Sequence, residues 1–279
     1  MCGKHGMTRT TLTKDEREMH RLSILQVCDS VFPIGAFALS NGMETFVQRD
    51  MLRSPEDFEQ YLKNYLEVAA YKEIGQMVIA GKIALDARLS DIGFTSRIRE
   101  LDELCTALQS AREIREGQTR MCLRMIKLAD QMEDQPLQPV DMRQAQSDRD
   151  AISHEPTSEG NRRTIHHLDR YKELIDSGAC VGLHSIAMGL FAADKAPSLR
   201  EAAVTYCYSL LSALTVCAVK AVPISQYAGQ VALNRAFPEI VAAVDLAFTL
   251  KPDDLGISGA YLDIAAMQHE TLYSRLYMS

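Results

Sequence analysis

The amino-acid sequence predicts an all-α fold, a single globular multi-helix bundle around a buried central helix. Apolar residues recur every three or four positions along most of the chain, the period of a helix with one face in a core. No run alternates with period two for long enough to form a strand. Helix-start signals stand at the heads of periodic stretches, and no internal repeat is visible.

In chain order, the first 20 residues, MCGKHGMTRTTLTKDEREMH, have no apolar h-region and so are not a secretory signal. They are expected to form a flexible arm, with Met7 as an alternative start, before a helical domain over 21–279. In DSVFPIGAFALSNGME, residues 29–44, Pro33 and Gly35 interrupt an apolar run. That pattern fits either a plain connection between helices or a recognition loop. Ser54-Pro55-Glu56-Asp57 then supplies an N-cap, a proline at the first helical position and acids in the first turn. Phe58, Tyr61, Leu62 and Tyr65 form one face of a helix running to about Tyr71, and Gln76 to Leu85 continues as a second, apolar helix.

From Thr95 to about Asp130, Ile98, Leu101, Leu104, Leu108, Ala111, Gln118, Met121, Met125 and Leu128 predict one long helix. Residues 133–163 are polar and poor in large apolar side chains. They cannot bury enough surface to offset the entropy of ordering and are expected to be a disordered insertion. Helical patterning resumes near His166, breaks around Gly178 and continues through CVGLHSIAMGLFAAD. The stretch after Pro197-Ser198 is the predicted central helix and ends at Pro223. Helices follow over Gln226–Ala236 and Pro238–Leu250, and Ile264, Met267 or Gln268, Leu272 and Leu276 space a final amphipathic helix.

The formal charge of -7 and pI near 5.5 argue against a nucleic-acid-binding surface covering the molecule. Seven cysteines without a CxxC motif or regular spacing read as small core residues in a reducing, cytoplasmic setting rather than a disulfide framework. Only Lys220 is charged between Ala202 and Val222, a length that can cross a bilayer. That stretch is rich in Ala, Ser, Thr, Cys and Tyr, so a core helix is expected and no membrane partner.

Motifs for catalysis fall short. Between Gly75 and Gly81 lie five residues where a phosphate loop has four, and Ile83 stands where that loop carries a hydroxyl. Two packing glycines on a helix fit better. His269-Glu270 begins like a zinc-protease helix, but Tyr273 stands four residues after His269, which leaves an exposed polar face as the simpler reading. His166 and His167 are adjacent, a poor chelating arrangement on a helix. His184, alone on an apolar face, reads as a hydrogen-bonded core histidine.

Arg112 and Glu116 have the spacing of a solvated i,i+4 pair. Arg115 falls on the core-facing seam, where a guanidinium needs a carboxylate or carbonyl groups from another element. Lys220 stands at a helix C-terminus, either to face its carbonyls or to touch a partner.

Five segments together resemble the urease accessory protein UreF family. FPIGAFALSNGME keeps Pro33, Gly35, Phe37, Ser40, Gly42 and Glu44 of an N-terminal pattern L-P-V-G-G-F-S-Y-S-x-G-L-E, with Ala36 and Ala38 departing from it. AREIREGQ is similar to its R-E-x-R-E segment through Arg112, Glu113 and Arg115, and GLHSIAMGL to its G-x-H-x-x-x-x-G helix through His184 and Gly189. AVKAVPISQYAGQ, with Lys220, Pro223 and Gln226, resembles V-K-L-V-P-x-G-Q-x-x-x-Q, with Ser225 replacing glycine. QHETLYSRLYMS, with His269, Glu270, Tyr273, Ser274 and Arg275, resembles the family's terminal motif, with Gln268 replacing arginine.

The resemblance runs from about Leu22 to Ser279 outside the polar insertion. It implies a homodimeric, non-enzymatic scaffold without a cofactor, joining a UreD (UreH)-like protein and the GTPase UreG, modulating that GTPase and serving nickel insertion into apo-urease. Under this reading Phe37, Ser40, Glu44, Lys220, Gln226, His269, Glu270, Tyr273, Ser274 and Arg275 are expected to contribute to partner binding. Pro33, Gly35, Gly42, Arg112, Glu113, Arg115, His184, Gly189 and Pro223 are expected to be structural. No catalytic residue or metal ligand is expected. The competing readings are an all-α enzyme built on Glu113, Arg115 and Lys220, and a membrane-associated helical protein.

Overall fold

A computed structural model describes residues 13–36, 39–133, 166–256 and 259–277. Phe37, residues 1–12 of the expected arm and 134–163 of the expected insertion lie outside the described residues. The described residues form helices and connections, with no strand among them. In order the helices are α1 (Lys14–Val27), α2 (Met43–Gln48), α3 (Pro55–Ala69), α4 (Glu73–Leu85), α5 (Asp91–Leu108) and α6 (Arg112–Glu133). There follow α7 (His167–Asp176), α8 (His184–Lys195), α9 (Leu199–Ala221), α10 (Gln226–Arg235), α11 (Phe237–Thr249) and α12 (Ala260–His269).

The starts follow local chemistry. Thr13 caps α1 in a reciprocal box with Glu16, so residues 14–20, expected in the arm, are already helical. Ser54 and Asp57 form a second box ahead of Pro55. Ser90, Ser198 and Ser225 each accept a first-turn N–H, at the heads of α5, α9 and α10. The face of α3 made by Phe58, Tyr61, Leu62 and Tyr65 is buried as its spacing predicts.

At the centre α4 packs against α8. A Cβ on Gly189 would overlap the carbonyl oxygen of Met77, and one on Gly81 would meet Leu199 Cδ1 at 2.5 Å. The two glycines therefore let the backbones approach more closely than side chains would permit. Of the two glycines read from sequence as packing residues, Gly81 lies at this contact and Gly75 packs elsewhere, where a Cβ would come within 2.7 Å of the Ala70 carbonyl oxygen. The entry into α8 is held by Asp102, a buried carboxylate that accepts the N–H groups of Val181 at 2.7 Å and Gly182 at 3.1 Å. Asp102 also accepts the Tyr171 hydroxyl, whose oxygen takes the Leu183 N–H at 2.8 Å. A buried carboxylate is tolerated there because these donors replace its lost water.

Four expectations change. The single helix from Thr95 to Asp130 is two helices, because Gln109 leaves helical geometry at φ -85°, ψ 89°. The register restarts, Ile114 takes the buried seat, and Arg115 is half-buried instead of on the core seam. The helix α9 is only half buried, with Tyr208 and Lys220 exposed; α4 and α8 form the buried centre. Among the described residues α9 is the helix long and apolar enough to cross a membrane, and its buried half packs against α4, α8, α10 and α11. The final helix ends at His269, and its buried face is Leu262, Ala265, Ala266 and His269, whereas Ile264, Met267 and Leu276 are exposed. Small alanines allow the close approach of α2, which the large apolar residues on the opposite face would not.

Helix α1 ends at Val27, ahead of Pro33, and Asp29 then accepts the Val31 N–H at 2.8 Å in a tight turn. Pro33 is exposed, and Arg124 holds the Ile34 carbonyl at 3.1 Å beside Gly35, whose φ is 90°. Gly42, at φ 82°, leads into α2 against α12, where a Cβ would come within 2.9 Å of the Ala266 nitrogen.

Candidate functional site

The helix α2 begins with Met43-Glu44-Thr45, all buried. Thr45 donates its hydroxyl to the Ala265 carbonyl at 2.7 Å, locking α2 to α12. This places Glu44 beside the last residue of α12, His269, whose side chain has 0% exposure. The His269 ring is held from both sides: Nε2 lies 2.9 Å from a Glu44 carboxylate oxygen and Nδ1 2.7 Å from a Glu113 carboxylate oxygen on α6.

The same two carboxylates seize the residues that follow. Glu44 accepts the backbone N–H groups of Leu276 at 2.7 Å and Tyr277 at 3.1 Å, and Glu113 accepts Arg275 Nη1 at 2.9 Å. Gln48 donates to the Ser274 carbonyl, and the Tyr277 hydroxyl donates to the Cys217 carbonyl at 2.9 Å on α9. Burial raises the Tyr277 phenol above its ordinary range and pushes the Cys217 thiol up to about 11. Arg112 fixes the start of the tail through Glu270 at 3.1 Å, holding that carboxyl below its usual range, and also pairs with Glu116 at 3.7 Å. Residues 270–277 thus form a non-helical strap clamped across α2, α6 and α9.

Sequence-selected residues divide sharply here. Ser40, Glu44 and His269 are buried and inaccessible to a partner in this arrangement; they shape what lies above them. The reading of His269 on an exposed polar face is corrected, because two carboxylates replace the solvation its ring loses. Tyr273 and Arg275 are exposed, as are Lys220, Gln226 and Pro223 at the α9–α10 turn. Lys220 lies in the last turn of α9, where a cation suits the helix dipole. Among the described residues Lys220 forms no ion pair with Glu113, whose carboxylate bonds His269 and Arg275. Arg115 donates to the Gln109 carbonyl at 2.6 Å, six residues earlier at the end of α5, rather than reaching across a helix interface as expected. The ion-pair bridge in this segment is made by Glu113, with His269 and Arg275.

Sequence reasoning missed Gln48 and Tyr277, since nothing local to either reveals a partner 226 residues away for the first and 60 for the second. It also missed Glu73, whose place at the head of an otherwise apolar helix was the available signal. Glu73, Gln118, His184 and Tyr206 line a cavity of about 50 Å³ with Asn41 and Cys28. Gln118 Oε1, His184 Nε2 and the Tyr206 hydroxyl are buried without a protein partner; His184 is thus the core histidine expected, with one ring nitrogen unsatisfied. Burial lowers His184 to about 4 and raises the Glu73 carboxyl, against the opposing pull of Lys72. Lys72 itself pairs with Asp263 and ties α12 to the α3–α4 turn.

Among the described residues no group of three His, Cys, Asp or Glu side chains is arranged so that it could hold a metal ion. Fold and site together define a protein, all-helical over the described residues, in which Glu44, His269 and Glu113 anchor residues 275–277. The UreF family model matches residues 52–237, and the chain belongs to the UreF family. Relatives called urease accessory protein UreF include that of Arthrobacter sp. (strain FB24), 27% identical over 93% of this chain and 97% of its own length. The one from Streptococcus thermophilus (strain LMD-9) is 28% identical over 92% and 94%, and that of Actinobacillus pleuropneumoniae serotype 3 is 30% identical over 92% and 98%.

Proposed function

We propose that this protein is a non-enzymatic cytoplasmic scaffold in urease maturation, joining a UreD (UreH)-like protein to the GTPase UreG, modulating that GTPase and serving nickel insertion into apo-urease. The homodimeric state that the family resemblance implies is part of this reading. The observation that carries it is the clamped strap. Buried Glu44 and His269 and the half-buried Glu113 bond one another and hold residues 275–277, while Tyr273, Arg275 and Leu276 are exposed, as are Tyr261, Ile264 and Met267 of α12. Exposed aromatic, arginine and aliphatic side chains on a rigid base have the composition of an interaction hot spot.

The test replaces Tyr273 and Arg275 together by alanine. Co-purification with the UreD-like protein and UreG should fall at least tenfold while circular dichroism stays unchanged. Normal co-purification removes the docking role of the strap.

A further inference from the structure

We propose that the cavity behind the α1–α2 connection is a built hydration site, holding a cluster of water molecules that hydrogen-bonds four helices to one another. Each helix contributes one polar side chain to the lining: Glu73 from α4, Gln118 from α6, His184 from α8 and Tyr206 from α9. All four are more than nine-tenths buried. Gln118 Oε1, His184 Nε2 and the Tyr206 hydroxyl have no protein partner. A native interior rarely leaves such atoms unpaired, and three of them around one cavity require a ligand that supplies the missing bonds.

Size and chemistry both select water. The space is about 50 Å³, and one water needs on the order of 10–15 Å³, so roughly three molecules fit. The ligand must also both donate and accept. Gln118 Oε1 only accepts, the tyrosine hydroxyl does either, and an imidazole nitrogen does one or the other according to its tautomer. Water, with two donors and two acceptors, meets every combination. The half-buried Ser209 hydroxyl on the same lining spends its proton on the Tyr206 carbonyl at 2.8 Å, so it does not supply the donor that Gln118 Oε1 needs. An anion finds no cation among the four side chains, because burial lowers His184 to about 4 and raises the Glu73 carboxyl, favouring the neutral form of each. Nor is any trio of His, Cys, Asp or Glu among the described residues arranged for a metal ion. An apolar ligand would leave the three polar atoms desolvated and unpaired. Asp29 and Ser30, exposed at the rim of the same cavity, give bulk solvent a route in.

The hydration site is independent of partner docking and is tested on the isolated full chain. A high-resolution crystal structure should show roughly three ordered waters, with contacts of about 2.7–3.2 Å to Gln118 Oε1, His184 Nε2 and the Tyr206 hydroxyl. A dry cavity, a bound ion or an organic molecule there overturns the proposal. Thermal melting adds a test of sign. Tyr206→Phe removes the hydroxyl and keeps the ring. Where water bonds that hydroxyl, its loss strands the water and lowers the melting temperature; where the hydroxyl is unpaired, its loss removes a desolvated polar atom and raises it. A fall is expected, and a rise or no change overturns the proposal. Should that variant not fold, Gln118→Met, which exchanges the amide for an apolar chain of similar length, carries the same test with the same two outcomes.

Discussion

Leu276 donates its backbone N–H to the Glu44 carboxylate at 2.7 Å, so a residue of the second helix anchors the end of the chain. That bond uses an oxygen other than the one His269 approaches, so one buried carboxylate serves both the ring and the strap. Removing it leaves a buried charge unbalanced. Glu44→Ala is expected to destabilise the fold by about 3–5 kcal/mol, and hydrogen exchange should show the strap released. Urea titration gives the first quantity, and a loss below about 1 kcal/mol would contradict the pairing described.

The α4–α8 contact predicts opposite outcomes for one kind of substitution. Gly189→Ala places a methyl group against the Met77 carbonyl and should cost on the order of 1–3 kcal/mol. Gly93→Ala in α5 meets nothing closer than 3.4 Å and should stabilise by roughly 0.5–1 kcal/mol, through the reduced freedom of the unfolded chain. Melting temperatures of the two variants check the pair.

The burial of His184 predicts a loss of stability in acid. Its folded form binds a proton only near pH 4, whereas the unfolded side chain does so near 6.5. Stability from this group is therefore present above about 6.5 and is lost as pH falls through about 4. The full effect is on the order of 3 kcal/mol. His184→Leu should flatten the acid limb of the plot of melting temperature against pH, and an unchanged limb would assign the dependence elsewhere.

Arg115 acts through a carbonyl at the α5 terminus. A hydrogen bond from a charged donor contributes about 1.5–3 kcal/mol, so Arg115→Ala should lower the melting temperature measurably. An unaltered melting temperature combined with abolished GTPase regulation would instead identify Arg115 as a residue acting on the nucleotide.

How much of this was legible depended on the distance over which the decisive interaction acts. The capping box at Ser54, the buried face Phe58-Tyr61-Leu62-Tyr65 and the α9 start at Ser198 were all readable, because their partners lie within one or two helical turns. The break at Gln109 was not, since the apolar spacing continues across it and only the carbonyl's engagement by Arg115 marks the end of α5. At the C-terminus periodicity alone chose the wrong face of α12, because alanines score weakly on any apolar count yet are what a close neighbour requires.

The linear chain by itself determined that this protein is helical, where most helices begin, and which short motifs carry its family resemblance. Tertiary structure alone decided that Glu44 and His269, 225 residues apart, are one buried charge cluster and not two surface features. The reason is physical: helix formation is governed by contacts a few residues apart, whereas the state and role of an ionisable side chain depend on what replaces its water, and that is supplied by whichever segments folding brings alongside.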